Sequence, residues 1–190
     1  MPETNVYFVR HAEPDLSNHD DLTRALTDKG MRDRLLVTAY LAERHIDAVY
    51  SSPFRRAYDT VADFAEKAGL SITTVDDFRE RQLANVWVTD FIAFCEQQWA
   101  DFSYKRPGGE CLAEVEERNI RALQQILTQH SGENIVIGSH GTAIATVLHH
   151  YNPPFGYADF LRIRNKMPWI VRLTFVEYTF TTVEKIDLLP

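Results

Sequence analysis

The 190-residue chain is poor in cysteine, in glycine and in positive charge, and it has no long apolar run. Its two cysteines, Cys95 and Cys111, stand far apart and form no CxxC pair. That excludes a disulfide framework and a cysteine zinc site, and the pair reads as free thiols of a reducing compartment. Eight glycines and eight prolines exclude collagen-like and low-complexity chains. Twenty Lys and Arg against 27 Asp and Glu leave a formal charge of −7. Such an acidic chain is poorly suited to general binding of nucleic acid or anionic membrane, so any anion site must be a local basic pocket. No stretch approaches the ~20 apolar residues of a membrane helix. Met1 to Asn5 shows neither the basic nor the apolar region of a secretory leader. The expectation is a cytoplasmic protein with no nucleic-acid or membrane partner.

What is present is ordinary for a globular protein: 45% hydrophobic and 25% charged residues. The length suits one domain, 1–190, that needs no disulfide or structural metal to fold. Val6 to Val9 reads as a strand buried on both faces, and Ala48 to Tyr50, Ile72 to Val75 and Asn134 to Gly138 as further strands. Between them lie helical patterns. Thr27 predicts an N-cap, followed by Met31, Leu35, Ala39 and Ala42 as an apolar stripe. Ser52-Pro53 predicts a helix start with proline at its first position, and Gly69 its end. Leu112 to Gln129 is a long amphipathic helix, and Thr142 to His149 another. Ile170 to Val176 and Phe180 to Ile186 read as a final strand pair. This alternation predicts a three-layer α/β/α sandwich around a mostly parallel sheet. Residues 78–110, with a helix from about Thr89 to Trp99, read as a small helical excursion over the site within the same domain.

Ligands of such sheets bind at the carboxyl ends of the strands. There the chain places Arg10-His11-Ala12-Glu13, then Ser51-Ser52-Pro53-Phe54-Arg55-Arg56, then Arg79-Glu80, then Gly138-Ser139-His140-Gly141. Taken singly, each is usually a structural or solvated feature. Together they put two histidines, several arginines and a carboxylate at four strand ends. Arginine's planar fork matches phosphate oxygens, and a histidine among cations is held neutral and nucleophilic. Gly141 opens a helix, so its free N–H groups can hold an anion. No GxxxxGK[ST] loop is present, and neither HExxH nor a tight His/Asp cluster suggests a metal. His149-His150, His19, His45 and His130 read as structural.

These segments resemble the histidine phosphatase, or phosphoglycerate mutase-like, superfamily over nearly the whole chain. Arg10-His11-Ala12 is similar to its RHG signature, and Leu26-Thr27-Asp28-Lys29-Gly30 to LTxxG. Ser51 to Thr60 is similar to SSPLxRAxxT, Pro107-Gly108-Gly109-Glu110 to PGGE, and Gly138-Ser139-His140-Gly141 to the VSHG segment. The resemblance implies His11 as the nucleophile that becomes phosphorylated. It implies Arg10, Arg56 and His140 as ligands of the phosphoryl group, and Glu80 as proton donor. Arg55 is the alternative to Arg56, and Glu13 a weaker candidate for proton transfer. Ser17 stands where mutase-type members carry a phosphate-holding asparagine, and Ala12 replaces the signature glycine.

The implied activity is a metal-independent, histidine acid phosphatase-type hydrolase. It needs no cofactor and acts on a small phosphorylated metabolite through a phosphohistidine. Phosphoglycerate mutase-type transfer and a non-catalytic phospholigand-binding module are the alternatives. The acidic loop around Glu13, Asp15, Asp20 and Asp21 would repel a highly anionic substrate. The aromatic and basic residues from Arg79 to Arg106 either line a pocket or pack the excursion. Arg162, Arg164 and Lys166 form a basic stripe with the same two readings. Oligomeric state stays open.

Overall fold

A computed structural model describes residues 2–189. Its six strands are β1 (Glu3–Arg10), β2 (Ala48–Ser51), β3 (Ile72–Thr74), β4 (Asn134–Ser139), β5 (Trp169–Val176) and β6 (Thr179–Asp187). They form one sheet in the order β3-β2-β4-β1-β5-β6. The first four strands are parallel, and β5 and β6 add an antiparallel hairpin at the β1 edge. Six helices complete the fold: α1 (Asp28–Ala42), α2 (Arg55–Ala68), α3 (Phe91–Ala100), α4 (Leu112–Gln129), α5 (Gly141–Tyr151) and α6 (Tyr157–Ile163).

β1 and β4 alternate between two cores, which is why Val6–Val9 and Ile135–Ile137 read as continuous apolar runs. Val6, Phe8, Ile135 and Ile137 face a core built with Leu123, Ile126 and Leu127 of α4 and Ile144 and Val147 of α5. Tyr7, Val9 and Val136 face the other, closed by Val37 and Leu41 of α1 and Val61 and Phe64 of α2. Side chains buried this fully contribute about 1.5–3 kcal/mol each relative to exposure.

Two expectations are corrected. Met31, Leu35, Ala39 and Ala42 all lie on the exposed face of α1, which instead buries Gly30, Val37, Thr38 and Leu41. A hydrogen bond from Thr38 to Asp63 (2.7 Å) lets a polar residue occupy the buried stripe. The second helix begins at Arg55 rather than at Pro53, with Phe54 as its N-cap. The seven-residue α6 was not anticipated.

The Leu26–Gly30 segment has a packing explanation. Thr27 caps α1, accepting from the Gly30 amide at 3.0 Å and donating to Glu13 Oε1 at 2.8 Å. A Cβ on Gly30 would stand 2.3 Å from the Glu13 carbonyl oxygen. Glycine therefore lets α1 press the chain after β1 into place, two residues beyond His11.

Candidate active site

β1 and β4 lie side by side, with Arg10 in register with Ser139, so both strands end at one point. His11 and His140 follow directly, their ring centroids 5.3 Å apart. β2 ends beside β4 and delivers Ser52, whose amide donates to the Gly138 carbonyl at 2.8 Å. Arg56 sits on the first turn of α2. Arg10, His11, Arg56, Ser52 and His140 are all buried.

Each histidine has one nitrogen assigned by its surroundings. His11 Nδ1 lies 2.8 Å from the Ala12 carbonyl oxygen, which can only accept. The ring proton is therefore on Nδ1, and Nε2 keeps its lone pair. His140 Nε2 lies 2.8 Å from Ser52 Oγ, which already accepts from the Phe54 amide at 3.1 Å. Among the described residues the Ser52 hydroxyl has no other acceptor, so it donates to Nε2, leaving the proton on His140 Nδ1. That nitrogen is buried without a partner, as is Nε of Arg10. Other buried donors, such as Arg34 Nε and Arg172 Nε, are also unpaired, but these two belong to the cluster around the histidine pair, where an anion would satisfy both.

The arginines are held from behind. Arg10 Nη1 donates to the Ile163 carbonyl at 2.7 Å and to that of Lys166 at 3.3 Å. Its guanidinium lies flat against Gly141, where a Cβ would stand 2.9 Å from Cζ. Burial lowers the Arg10 pKa to about 10, opposed by Glu80, which leaves it charged at neutral pH. Arg56 donates to the Asp21 carbonyl at 2.8 Å and pairs with Asp21 Oδ1 at 3.1 Å. Asp21 also pairs with Arg24 at 2.8 Å. Arg24 is itself buried, and it closes the loop by donating to the Asn18 and His19 carbonyls at 2.6 and 3.1 Å.

Glu80 reaches the N-terminus of α5, where Oε2 accepts from the Thr142 amide at 3.1 Å and Oε1 from the Arg81 amide at 2.8 Å. Its two neighbours are clamped. Arg79 pairs with Glu110 at 2.7 Å. Arg81 is buried against Gln98 and Cys95, with Phe91 and Phe94 under its guanidinium. Glu110 also binds Arg118 at 2.9 Å and the Gln82 amide at 3.0 Å. Gly109 admits the Leu83 carbonyl, which a Cβ would meet at 2.3 Å. The Pro107–Glu110 segment thus ties the two ends of the excursion together and aims Glu80.

Of the expected residues, the fold gathers Arg10, His11, Arg56, His140, Gly141 and Glu80. Ser17 is exposed and donates to Asp15 at 2.7 Å, outside the cluster's hydrogen bonds. Glu13 is engaged by Thr27. Arg55 is exposed and pairs along its helix with Asp59 at 3.3 Å. Of the basic stripe, Arg162 pairs with Asp159 and Lys166 with Asp187. Sequence reasoning missed Ser52, Asp21 and Arg24 as parts of the site. The one signal for Arg24 was its place as the first base after a run of acids.

Burial and then the Arg56 and Arg10 charges hold the His11 pKa well below 6.5. Burial, Arg56 and His11 do the same to His140. Both rings are neutral in the folded chain where the unfolded chain would protonate them. Their contribution to stability is complete above the unfolded pKa of about 6.5 and is lost progressively as pH falls toward the folded values. The expected loss is on the order of 1 kcal/mol per histidine on acidification from pH 7.5 to 5.5. Urea midpoints across this range check it, and His11→Asn should remove about half of the dependence. An equal slope in that variant would contradict the assignment.

Comparisons with known proteins agree with this geometry. Residues 6–187 match the profile of the histidine phosphatase superfamily (branch 1). The chain is 32% identical over 165 residues to phosphoglycerate mutase-like protein 4 of Arabidopsis thaliana, covering 78% of this chain and 71% of that protein. It is 26% identical over 159 residues to a metal-independent phosphoserine phosphatase of the same plant, covering 76% and 67%. Against a bifunctional protein of Mycobacterium tuberculosis, 30% identical over 160 residues, it spans 43% of the longer chain and 76% of its own. Among solved structures, Bacillus stearothermophilus YhfR superposes with a TM-score of 0.79 at 23% identity, covering 94% and 95% of the two chains. The chain belongs to the histidine phosphatase superfamily, branch 1.

Proposed function

We propose that this chain is a phosphomonoester hydrolase that works through a phosphohistidine on His11 and takes a small phosphorylated metabolite. One observation carries the reading. Two orphaned buried donors, Arg10 Nε and His140 Nδ1, belong to the same cluster as a neutral histidine whose Nε2 is free to attack.

The chemistry follows from the positions. Phosphoryl transfer demands in-line placement and spread positive charge more than covalent help. Arg10, Arg56 and His140 supply donors to the three equatorial oxygens. His11 Nε2 forms the N–P bond as the P–O bond to the alcohol breaks, and Glu80 gives the alcohol its proton. Glu80 then takes a proton from water, whose oxygen bonds to phosphorus as the N–P bond breaks, giving phosphate and restoring His11. The arginines hold the charge that a metal would otherwise neutralise. The same use of Glu80 as acid and then as base gives activity a bell-shaped pH profile. The relatives named as phosphoserine phosphatases, one of them metal-independent, support the hydrolytic outcome. The hydrogen bond of Ser17 to Asp15 further separates this site from a mutase-type phosphate cradle.

The test is phosphate release from a panel of phosphomonoesters in EDTA, with 3-phosphoglycerate included and 2-phosphoglycerate followed in parallel. Release at the same rate with and without EDTA is expected. Isomerisation without release would replace the reading by a mutase, and no turnover of any ester would replace it by a binding module.

A further inference from the structure

We propose, building on the phosphatase reading, that the mouth of the site selects phosphomonoesters with an apolar alcohol, and that Leu22 and Trp87 contact that alcohol. The argument begins with where apolar side chains are left in water. Leu16 (60% exposed), Leu22 (54%), Val86 (75%) and Trp87 (50%) are four of the five large apolar side chains exposed by half or more among the described residues. The fifth, Tyr178, lies at the β5–β6 hairpin turn. The four come from only two segments, the loop before α1 and the stretch that follows Glu80.

Both segments are fastened to the catalytic cluster. Asp21 binds Arg56 through its carbonyl (2.8 Å) and its carboxylate (3.1 Å), so Leu22 is the next residue after an arginine contact. The Leu22 carbonyl accepts from the Arg55 amide at 3.0 Å, which sets it beside the start of α2. Phe54 lies there as well, its ring 5.3 Å from that of His140 and 5.0 Å from the Arg56 guanidinium. From the other side, the Trp87 indole stacks on the His19 ring at 3.9 Å and 9°. The Arg24 guanidinium lies 5.6 Å from the same indole. The two segments therefore meet where Trp87 stacks on His19, and the Leu22 backbone is held beside the start of α2, where Phe54 is the N-cap.

Large apolar side chains left in water on two adjoining segments beside a charged site make a surface patch of the kind that binds ligands. Its occupant here is the alcohol of the ester, because the patch joins the arginine that holds the phosphoryl group. Charge points the same way. Asp15 is held below the ordinary carboxylate range by the Ser17 hydroxyl and amide, and Asp20 by Thr23 and the Leu22 amide. Both stay ionised on the loop that carries Leu16 and Leu22, and Asp21 offsets one of the two charges of Arg24 and Arg56. An alcohol bearing a second anion meets repulsion there, and an apolar one does not.

An alkyl series tests this without changing leaving-group chemistry. kcat/KM for hexyl phosphate should exceed that for ethyl phosphate by roughly tenfold or more, mainly through KM, since each buried methylene is worth a few-fold. 3-Phosphoglycerate and phosphoserine should fall below both. Leu22→Ser and Trp87→Ser should each pull the hexyl-to-ethyl ratio toward one, whereas Leu35→Ser on the exposed face of α1 should leave the ratio alone. A flat alkyl series overturns the proposal. So does a preference for the carboxylate-bearing esters, which would trace to the half-buried Arg164, free of ion pairs among the described residues. So does a ratio indifferent to Leu22→Ser and Trp87→Ser when these changes instead dissolve a dimer, since the patch would then belong to a second copy. Absence of release from every ester overturns the phosphatase reading itself, and this proposal with it.

Discussion

His11→Ala is expected to reduce turnover of every phosphomonoester by at least about 10⁴-fold, the scale on which removal of a nucleophile acts. The ring is held in a single way, with Nδ1 on the Ala12 carbonyl at 2.8 Å and Nε2 left unpaired. No other histidine can take over. His140 has its Nε2 on Ser52, and its remaining nitrogen carries the proton. The loss should therefore be chemical and should not follow from unfolding. His11→Asn separates the two, because its side-chain amide can still donate to the Ala12 carbonyl while offering no nucleophile. Both variants should be equally inactive, with the asparagine variant folded. The covalent step has its own readout. Wild-type chain quenched in alkali during turnover of a labelled ester should retain acid-labile label, and neither variant should. A His11→Ala chain keeping more than about 1% of activity would show that the phosphoryl group passes directly to water.

The arginines explain why a histidine serves here. Burial, and then the Arg56 and Arg10 charges, hold His11 neutral at pH values where a solvated imidazole is partly protonated, so the nucleophile is present without a separate base. In the proposed mechanism the same two arginines also hold the phosphoryl oxygens. Arg10 can do this while buried because its rear nitrogen donates to the 163 and 166 carbonyls. Those carbonyls lie at the end of α6 and just beyond it, which gives that short helix a function in the site.

Legibility from sequence followed the range of the interactions concerned. β1 and β4 were readable because their central residues, Val6–Val9 and Ile135–Ile137, are apolar and buried on both faces. α4 was readable because one unbroken stripe, Val115 to Leu127, packs on one core. α1 was misread because its inward face carries Gly30 and Thr38, selected by contact with Glu13 and Asp63, while Met31 and Leu35 remain in water. A periodicity of apolar residues cannot report a face whose members are chosen for closeness and hydrogen bonding. The same distinction holds in the site. His11, His140, Arg10 and Arg56 follow strand ends, where chain order alone predicts convergence. Ser52, Asp21 and Arg24 act through atoms whose partners lie between 3 and 88 residues away. Ser52 in particular looks like a helix cap, and only the position of His140 shows that its hydroxyl orients the histidine.

Glu80→Gln is the second change with a large expected effect, and its signature lies in the pattern rather than in the size. The carboxylate accepts from two amides, those of Thr142 and Arg81. Glutamine can accept from only one of them, and its NH₂ can neither give up a proton to an alkoxide nor take one from water. For an alkyl phosphate the first turnover should slow by about 10²–10⁴-fold, the usual worth of general acid catalysis. For 4-nitrophenyl phosphate the leaving group departs unaided, so the first turnover should change by less than about tenfold. The second half-reaction has no such escape, since water must still be deprotonated whatever ester came first. The variant should therefore release nitrophenol in a burst approaching one equivalent per chain and then stall as the phosphohistidine. A burst in Glu80→Gln and its absence in His11→Ala would order the two residues along one pathway. Equal losses for aryl and alkyl esters with no burst would instead make Glu80 a positioning residue for the start of α5. The proton would then have to come from elsewhere in the site, and Glu13, whose Oε1 accepts from Thr27 at 2.8 Å, would be the next carboxylate to test.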